Sequence, residues 1–194
     1  MKEIARGAEA VVRVRDGNIV KERVEKGYRH PSLDDRLRRE RTDLEARLME
    51  KARRAGVRVP AVEREGDYTL VMDRVEGDVL RDVFTEERDS WGEVGDSVAR
   101  LHGRSIIHGD LTTSNMILSD GKVYFIDFGL GFFSDRVEDR ATDLHLLKEV
   151  LESTHTDVSE EAMGEILESY REFSGDAVEV LERYREIDER GRYK

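Results

Sequence analysis

The chain of 194 residues contains no cysteine and no glutamine, and it has only two prolines and two asparagines. Without cysteine it cannot form disulfides, use a thiol nucleophile or bind zinc through thiolates. No apolar run is long enough to span a membrane, and the first residues do not form the apolar part of a signal peptide. These absences predict a soluble, cytoplasmic protein without a membrane partner.

Charged residues make up 40% of the chain and the net charge is -11. This acidic balance favours solubility and argues against a whole surface devoted to nucleic-acid binding, although a local basic patch can still bind RNA. The length is enough for a hydrophobic core of one domain. We therefore expect a single domain over residues 1–194.

Two short motifs carry the strongest functional signal: residues 108–115 are HGDLTTSN, and residues 126–129 are IDFG. In protein kinases an aspartate of the catalytic loop orients the acceptor. An asparagine five positions later and an aspartate before Phe-Gly bind magnesium. Asp110, Asn115 and Asp127 match these positions. The pattern predicts Asp110 as the catalytic residue and Asn115 and Asp127 as metal ligands.

The segment between the motifs favours the same site. Phosphoryl transfer depends mainly on positioning, with oxygen ligands for Mg²⁺ and one carboxylate aimed at the nucleophile. Residues 116–118 and 123–126 are apolar runs joined by Asp120-Gly121, which predicts a hairpin that brings Asn115 and Asp127 together. An ordinary hairpin with polar flanks is the alternative.

Near the N-terminus, residues 3–5, 11–14 and 18–21 predict three strands. The first turn contains Gly7, Ala8 and Glu9, where a kinase places the glycine-rich loop that covers the phosphates. We assign these three residues to ATP binding, with a plain β-turn as the alternative because the segment has one glycine. The Glu9 carboxylate would have to pair or point away from the phosphates.

Lys21 ends the third predicted strand and matches the kinase lysine that contacts the α- and β-phosphates. Residues 32–54 have helical spacing of leucines, with Gly56 beyond as a stop signal. On this helix Glu45 is our choice for the carboxylate that pairs with Lys21, and Glu40 is the alternative. A solvated helix face is the other interpretation of either glutamate.

Residues 61–63 and 68–72 predict two further strands that lead into a hinge at residues 72–77. There the backbone of Asp73 and Val75 would bind the adenine edge, with Met72 guarding the back of the pocket. A strand that runs into a turn is the alternative. We expect an N-lobe over residues 1–75, a C-lobe over 76–188 and a basic tail over 189–194.

The C-lobe pattern predicts helices at residues 90–104, from about Val137, and at 159–173 and 176–188. Asp143 is expected to be a buried aspartate that braces the catalytic loop, with an exposed helix residue as the alternative. His102 is expected to have a packing or capping role.

The chain also departs from ordinary protein kinases. It has no Ala-Pro-Glu motif, and Gly109 and Thr112 replace the usual arginine and lysine around Asp110. The next helix already begins near Val137, which leaves little room for an activation segment. We therefore predict that the acceptor is water, a residue of the protein itself or a group presented by a partner.

The catalytic-loop motif, GAEA at residues 7–10, KGYRHP at 26–31 and DFGL at 127–130 together resemble the small atypical kinase subunit of the KEOPS (EKC) complex. The resemblance implies an α+β, RIO-like, minimal bilobal protein-kinase-like fold, with an antiparallel N-lobe sheet, one long helix and a shortened helical C-lobe. It implies ATP and Mg²⁺ as cofactors, and serine/threonine autophosphorylation or ATPase activity.

The same resemblance implies a Kae-type threonylcarbamoyltransferase and other KEOPS subunits as partners in making threonylcarbamoyladenosine in tRNA. It suggests that residues 189–194 contact tRNA or reach into the active site. The arginines of the long helix could join them in a phosphate-binding patch; these are Arg36, Arg38, Arg39 and Arg41. A solvated helix face is the alternative. Other functions left open are a RIO-type ribosome-maturation kinase, a small-molecule phosphotransferase and a non-catalytic kinase-fold adaptor.

Overall fold

The computed structural model describes residues 2–7 and 9–191. Its N-terminal part is an antiparallel sheet of five strands in the order β1-β2-β3-β5-β4. The strands are β1 Lys2–Arg6, β2 Ala10–Arg15, β3 Asn18–Arg23, β4 Val62–Arg64 and β5 Thr69–Asp73. All five predicted strand regions are present, and β3 lies in the centre. The central strand therefore carries Lys21.

One long helix, α1 Pro31–Arg54, connects β3 to β4. Pro31 opens the helix, Asp34 lies in its first turn and basic residues fill its last turn, an arrangement that complements the helix dipole. Leu33, one of the leucines whose spacing predicted the helix, is exposed. The first half of α1 instead buries Asp34 and Thr42, so its buried face is partly polar.

The C-terminal part is mainly helical. Its helices are α2 Leu80–Val83, α3 Ser90–His102, α4 Val137–Thr154, α5 Ser159–Phe173 and α6 Ala177–Gly191, with a 3₁₀ turn at Thr113–Asn115. Its strands are β6 Asp78–Val79, β7 Ile106–Ile107, β8 Met116–Ser119, β9 Lys122–Phe125 and β10 Phe132–Phe133. The predicted hairpin is β8–β9, and β10 pairs with β7.

Two predicted boundaries need correction. The helix predicted over 90–104 ends at His102, because Gly103 caps it. The helix predicted over 176–188 runs to Gly191, so the first three residues of the predicted tail are helical. Residues 192–194 of that tail lie outside the described residues. The lobe boundary at residues 75 and 76 stays a prediction.

The hydrophobic core lies mainly in the helical part, where α3 packs against α5. Its largest fully buried side chains include Trp91, Tyr170 and Phe84. The two helices approach closely at Gly95, where an added Cβ would lie 2.2 Å from the carbonyl oxygen of Ile166. Within the described residues, no helix is both long and apolar enough to cross a membrane.

Candidate nucleotide-binding and phosphotransfer site

A cavity of about 450 Å³ lies between the sheet and the helical part. Its volume is in the range of small-ligand pockets. Six residues that the sequence assigned to the site line it: Lys21, Glu45, Met72, Asp73, Val75 and Asp127. The fold thus brings together residues from distant parts of the chain; Lys21 and Asp127, for example, are 106 positions apart.

The walls of this cavity are apolar, and the sequence analysis missed them. Val12 and Ile19 come from the sheet, while Val79, Ile117 and Ile126 come from the other side. Strand alternation was the available signal, because Ile19 lies two residues before Lys21 on β3 and Val12 is the cross-strand partner of Lys21. An apolar slot with a charged end suits a ligand with an aromatic ring and an anionic group.

Lys21 forms the charged end of the cavity. Its Nζ lies 2.6 Å from Oε1 of Glu45 and 2.7 Å from Oδ1 of Asp127. Glu45 is almost fully buried on α1, whereas Glu40, the alternative partner, lies on the surface near Arg36. The structure therefore joins Lys21 to Glu45 rather than to Glu40.

Arg23 is a member of the same cluster that the sequence analysis missed. Its Nη2 lies 2.6 Å from Oε2 of Glu45, so the two carboxylate oxygens hold two different cations. Arg23 is 5% exposed and Glu45 is 1% exposed. The signal was again strand alternation, because Arg23 follows Lys21 by two positions on β3.

Asp127 adopts a positive φ of 59°, and its Oδ1 accepts a hydrogen bond from Lys21 Nζ. The backbone N–H of Gly129 also donates to Oδ1, at 3.1 Å. Partial burial raises the pKa of Asp127. The charge and hydrogen bond of Lys21, together with the hydrogen bond from Gly129, outweigh burial and hold this pKa below its ordinary value. Asp127 is therefore a carboxylate at neutral pH.

The catalytic-loop residues Asp110 and Asn115 are bonded to each other. The Nδ2 of Asn115 donates to Oδ2 of Asp110 at 2.8 Å and to its carbonyl oxygen at 2.9 Å. The carbonyl oxygen of Asn115 accepts a hydrogen bond from the backbone N–H of Ile126 at 2.9 Å. Because Ile126 directly precedes Asp127, this bond holds Asn115 close to Asp127 along the backbone. The β8–β9 hairpin thus places the two motifs next to each other.

Asp143 on α4 braces this loop. Its carboxylate accepts from the backbone N–H of His108 at 2.8 Å and of Gly109 at 2.9 Å. His102 links Asp143 to Tyr170 through its two ring nitrogens, at 3.3 and 3.0 Å. Burial raises the pKa of Asp143. The hydrogen bond and charge of His102 outweigh burial and hold this pKa below its ordinary value. The expected bracing and packing roles of Asp143 and His102 are confirmed.

Gly109 explains a departure from the usual kinase loop. Its φ is +75°, and an added Cβ would lie 2.4 Å from the carbonyl oxygen of Leu130. The chain that follows Asp127 therefore passes directly over the catalytic loop. No larger residue, including the usual arginine, fits at this position without moving backbone.

The loop after β1 does not reach the cavity as far as the structure describes it. The N–H of Gly7 donates to Ala10 O at 3.0 Å, which closes a turn, and neither Gly7 nor Glu9 lines the cavity wall. Glu9 pairs with Arg29 at 3.0 Å and with Arg41 at 2.8 Å. Ala8 lies outside the described residues, so the nucleotide-covering role of this loop stays a prediction.

The four α1 arginines considered as a phosphate-binding patch are all engaged. Each has a carboxylate within 4.0 Å; the pairs are Arg36–Glu40, Arg38–Asp34, Arg39–Asp35 and Arg41–Glu9. An anionic ligand would compete with these carboxylates. Contact with tRNA stays a prediction.

In the described parts of the chain, no group of three or more His, Asp or Glu side chains could hold a metal ion unaided. A site that uses Asp127, Asn115 and ligand phosphates does not require such a group, because magnesium usually takes one or two carboxylates and completes its shell with phosphate and water.

Comparison with known proteins identifies the family of the chain. Residues 13–134 match the RIO domain. Over 190 residues the chain is 48% identical to a probable bifunctional tRNA threonylcarbamoyladenosine biosynthesis protein of Methanoculleus marisnigri, covering 98% of this chain but 36% of that relative. It is 44% identical to KEOPS complex subunit Bud32 of Pyrococcus abyssi, covering 100% of this chain and 97% of the relative.

Among solved structures, the chain resembles the Rio2 kinase of Chaetomium thermophilum in its ADP/Mg²⁺-phosphoaspartate complex, with a TM-score of 0.63 and 15% identity. The match covers 100% of this chain and 72% of that one. At this identity the likeness concerns the fold alone. It confirms the predicted α+β, two-lobe, kinase-like architecture.

Proposed function

We propose, because this chain belongs to the RIO domain family and groups there with KEOPS complex subunit Bud32, that it is a Mg-ATP-dependent phosphotransferase of a KEOPS complex. It would autophosphorylate or hydrolyse ATP in support of tRNA threonylcarbamoyladenosine synthesis. The observation that carries this proposal is Lys21 Nζ, held at 2.6 Å from Glu45 and 2.7 Å from Asp127 in the cavity wall.

We assign the apolar slot to adenine. Val12, Ile19 and Ile117 would cover the ring faces, with Met72 at the back. The N–H of Asp73 already donates to Ala61 O at 3.0 Å, so we assign its carbonyl and the N–H of Val75 to the adenine edge. Lys21 would then contact the phosphates.

We assign the metal ligands from the hydrogen bonds that Asp127 and Asn115 already make. Both bonds to Asp127 use Oδ1, which leaves Oδ2 for Mg²⁺. Asn115 donates through Nδ2, which leaves its amide oxygen for the same purpose. Bound magnesium would neutralise charge on the phosphates, and Asp110 would orient the attacking hydroxyl or water.

The missing peptide platform supports a partner-dependent acceptor. Only residues 130–136 separate Gly129 from α4, and within them β10 pairs at once with β7. An activation segment that could dock extended peptides has no room there. We therefore infer that the acceptor is water, a residue of this chain or a group presented by a Kae-type transferase partner.

The test is ATP turnover by the full chain, with and without a Kae-type transferase and tRNA. Asp127→Asn should lower turnover by about a hundredfold or more, because the metal ligand loses its charge. Asp120→Asn is the matched control, because Asp120 lies in the exposed β8–β9 turn. Unchanged turnover in Asp127→Asn would refute the proposal, and nucleotide binding without turnover in every mixture would favour a non-catalytic adaptor.

A further inference from the structure

We propose that Arg23 is a positioning residue for Lys21. Arg23 holds one carboxylate oxygen of the buried Glu45, so that Glu45 orients Lys21 through its other oxygen and Lys21 is not its only cationic partner. The inference rests on the proposed function, because it concerns how Lys21 is presented to phosphate.

The burial of the cluster favours a second cation beside Glu45. Arg23, Lys21 and Glu45 are 5%, 8% and 1% exposed. A carboxylate this deep is costly unless it is paired and fully hydrogen-bonded. With Asp127 included, the cluster holds two cations and two carboxylates and is electrically balanced.

The geometry divides the work between the two cations. Arg23 Nη2 takes Oε2 of Glu45 and Lys21 Nζ takes Oε1, each at 2.6 Å. The backbone N–H of Arg23 donates to the carbonyl oxygen of Tyr68 at 2.9 Å, which anchors the end of β3 beside the start of β5. Arg23 therefore ties α1 to the sheet by a contact that does not involve Lys21.

This division matters when Lys21 also contacts phosphate. Without Arg23, the full charge of Glu45 would fall on Lys21 and draw it toward α1. With Arg23 present, Glu45 keeps a partner even when Lys21 shifts toward a ligand. A side chain at position 129 would crowd this cluster, since a Cβ added to Gly129 would lie 2.9 Å from Asp127 Oδ1, 3.2 Å from Lys21 Nζ and 3.6 Å from Arg23 Nη2.

The experiment measures KM and kcat for Mg-ATP in the full chain with its partner. Arg23→Met should raise KM by about tenfold or more, the effect of losing a charge-assisted hydrogen bond, whereas Arg23→Lys should stay closer to the wild type. Arg15→Met is the matched control, because it removes an exposed arginine–glutamate pair of the same sheet and should leave KM unchanged.

A double-mutant cycle separates positioning from mere structural support. If Arg23 acts through Glu45, adding Arg23→Met to Glu45→Gln should change KM by less than about twofold, although each single change raises it. Multiplying effects would overturn the proposal. Should Arg23→Met fail to fold, the double variant, which leaves neither charge of this pair, still permits comparison with Glu45→Gln.

The proposed function and the role of Arg23 are refuted by different results. If wild-type protein turns over ATP and Asp127→Asn does not, but Arg23→Met has a wild-type KM, only the role of Arg23 is overturned. If Asp127→Asn retains full turnover, the proposed function falls and the role of Arg23 falls with it.

Discussion

Replacing Gly109 by alanine should destabilise the protein more than an equivalent change elsewhere, because two costs add at this position. The positive φ of 75° costs an alanine about 1–2 kcal/mol. The new Cβ would lie 2.4 Å from the carbonyl oxygen of Leu130, and shifting packed backbone costs roughly 1–3 kcal/mol more. We expect Gly109→Ala to lower the free energy of unfolding by roughly 2–5 kcal/mol.

Gly121→Ala is the matched control. Gly121 has a φ of +69°, but nothing lies within 4 Å of an added Cβ. Gly121→Ala should therefore lower the free energy of unfolding by only about 1–2 kcal/mol, the cost of the positive φ alone. Urea unfolding followed by circular dichroism gives both values, with equal m-values as the condition for comparison.

The same variant should impair catalysis, because Asp110 follows Gly109 directly. Turnover should fall in Gly109→Ala and stay near wild type in Gly121→Ala. Equal losses of stability in the two variants would refute the contact between the catalytic loop and the segment after Asp127.

Three further predictions concern the helical part. Asp143→Asn should destabilise by about 1–3 kcal/mol in urea unfolding, because an amide N–H₂ would face a backbone N–H of the catalytic loop; equal midpoints would contradict this. Burial lowers the pKa of His155 below 6.5 in the folded protein, so as the pH falls the unfolded chain is protonated at His155 before the folded one. The free energy of unfolding should therefore decrease as the pH drops through about 6.5. His155→Asn should flatten this pH dependence, and an unchanged slope in that variant would contradict the prediction. Gly95→Ala should lower the thermal midpoint through its 2.2 Å contact with Ile166 O, whereas Gly164→Ala on the open face of α5 should not; similar shifts would contradict the close packing of α3 and α5.

The sequence predicted the elements that have long or regular patterns. The hairpin after Asn115 and the helices α1, α4 and α5 follow from alternation, turn residues and helical spacing, and their positions agree with the structure. The strands β6, β7 and β10 and the helix α2 have two to four residues each. Such segments are too short for any periodicity, so tertiary contacts alone define them.

The candidate site was predictable where a motif fixed the spacing. Asp110, Asn115, Asp127 and Lys21 belong to kinase motifs, and Glu45 followed from the need of Lys21 for a carboxylate. Arg23 belongs to no such motif. Its burial depends on α1 packing over β3, which sequence spacing on the strand allows but does not require.

The arginines of α1 show what helical spacing leaves out. The sequence pattern did not reveal that two of these arginines pair with carboxylates from distant segments. Arg41 pairs with Glu9 of the first loop, and Arg39 pairs with Asp67 after β4 as well as with Asp35. Charge patterning within one helix therefore does not show how much of its positive charge is already paired.

The most direct test of the account is the affinity of the full chain for ADP, measured by calorimetry with Mg²⁺ and with EDTA. We predict that Mg²⁺ strengthens binding to wild-type protein, that Asp127→Asn removes this gain, and that Lys21→Met weakens binding by about tenfold or more. Binding that is independent of Mg²⁺ and equal in all three proteins would contradict the assignment of the Lys21–Glu45–Asp127 cluster to nucleotide phosphates.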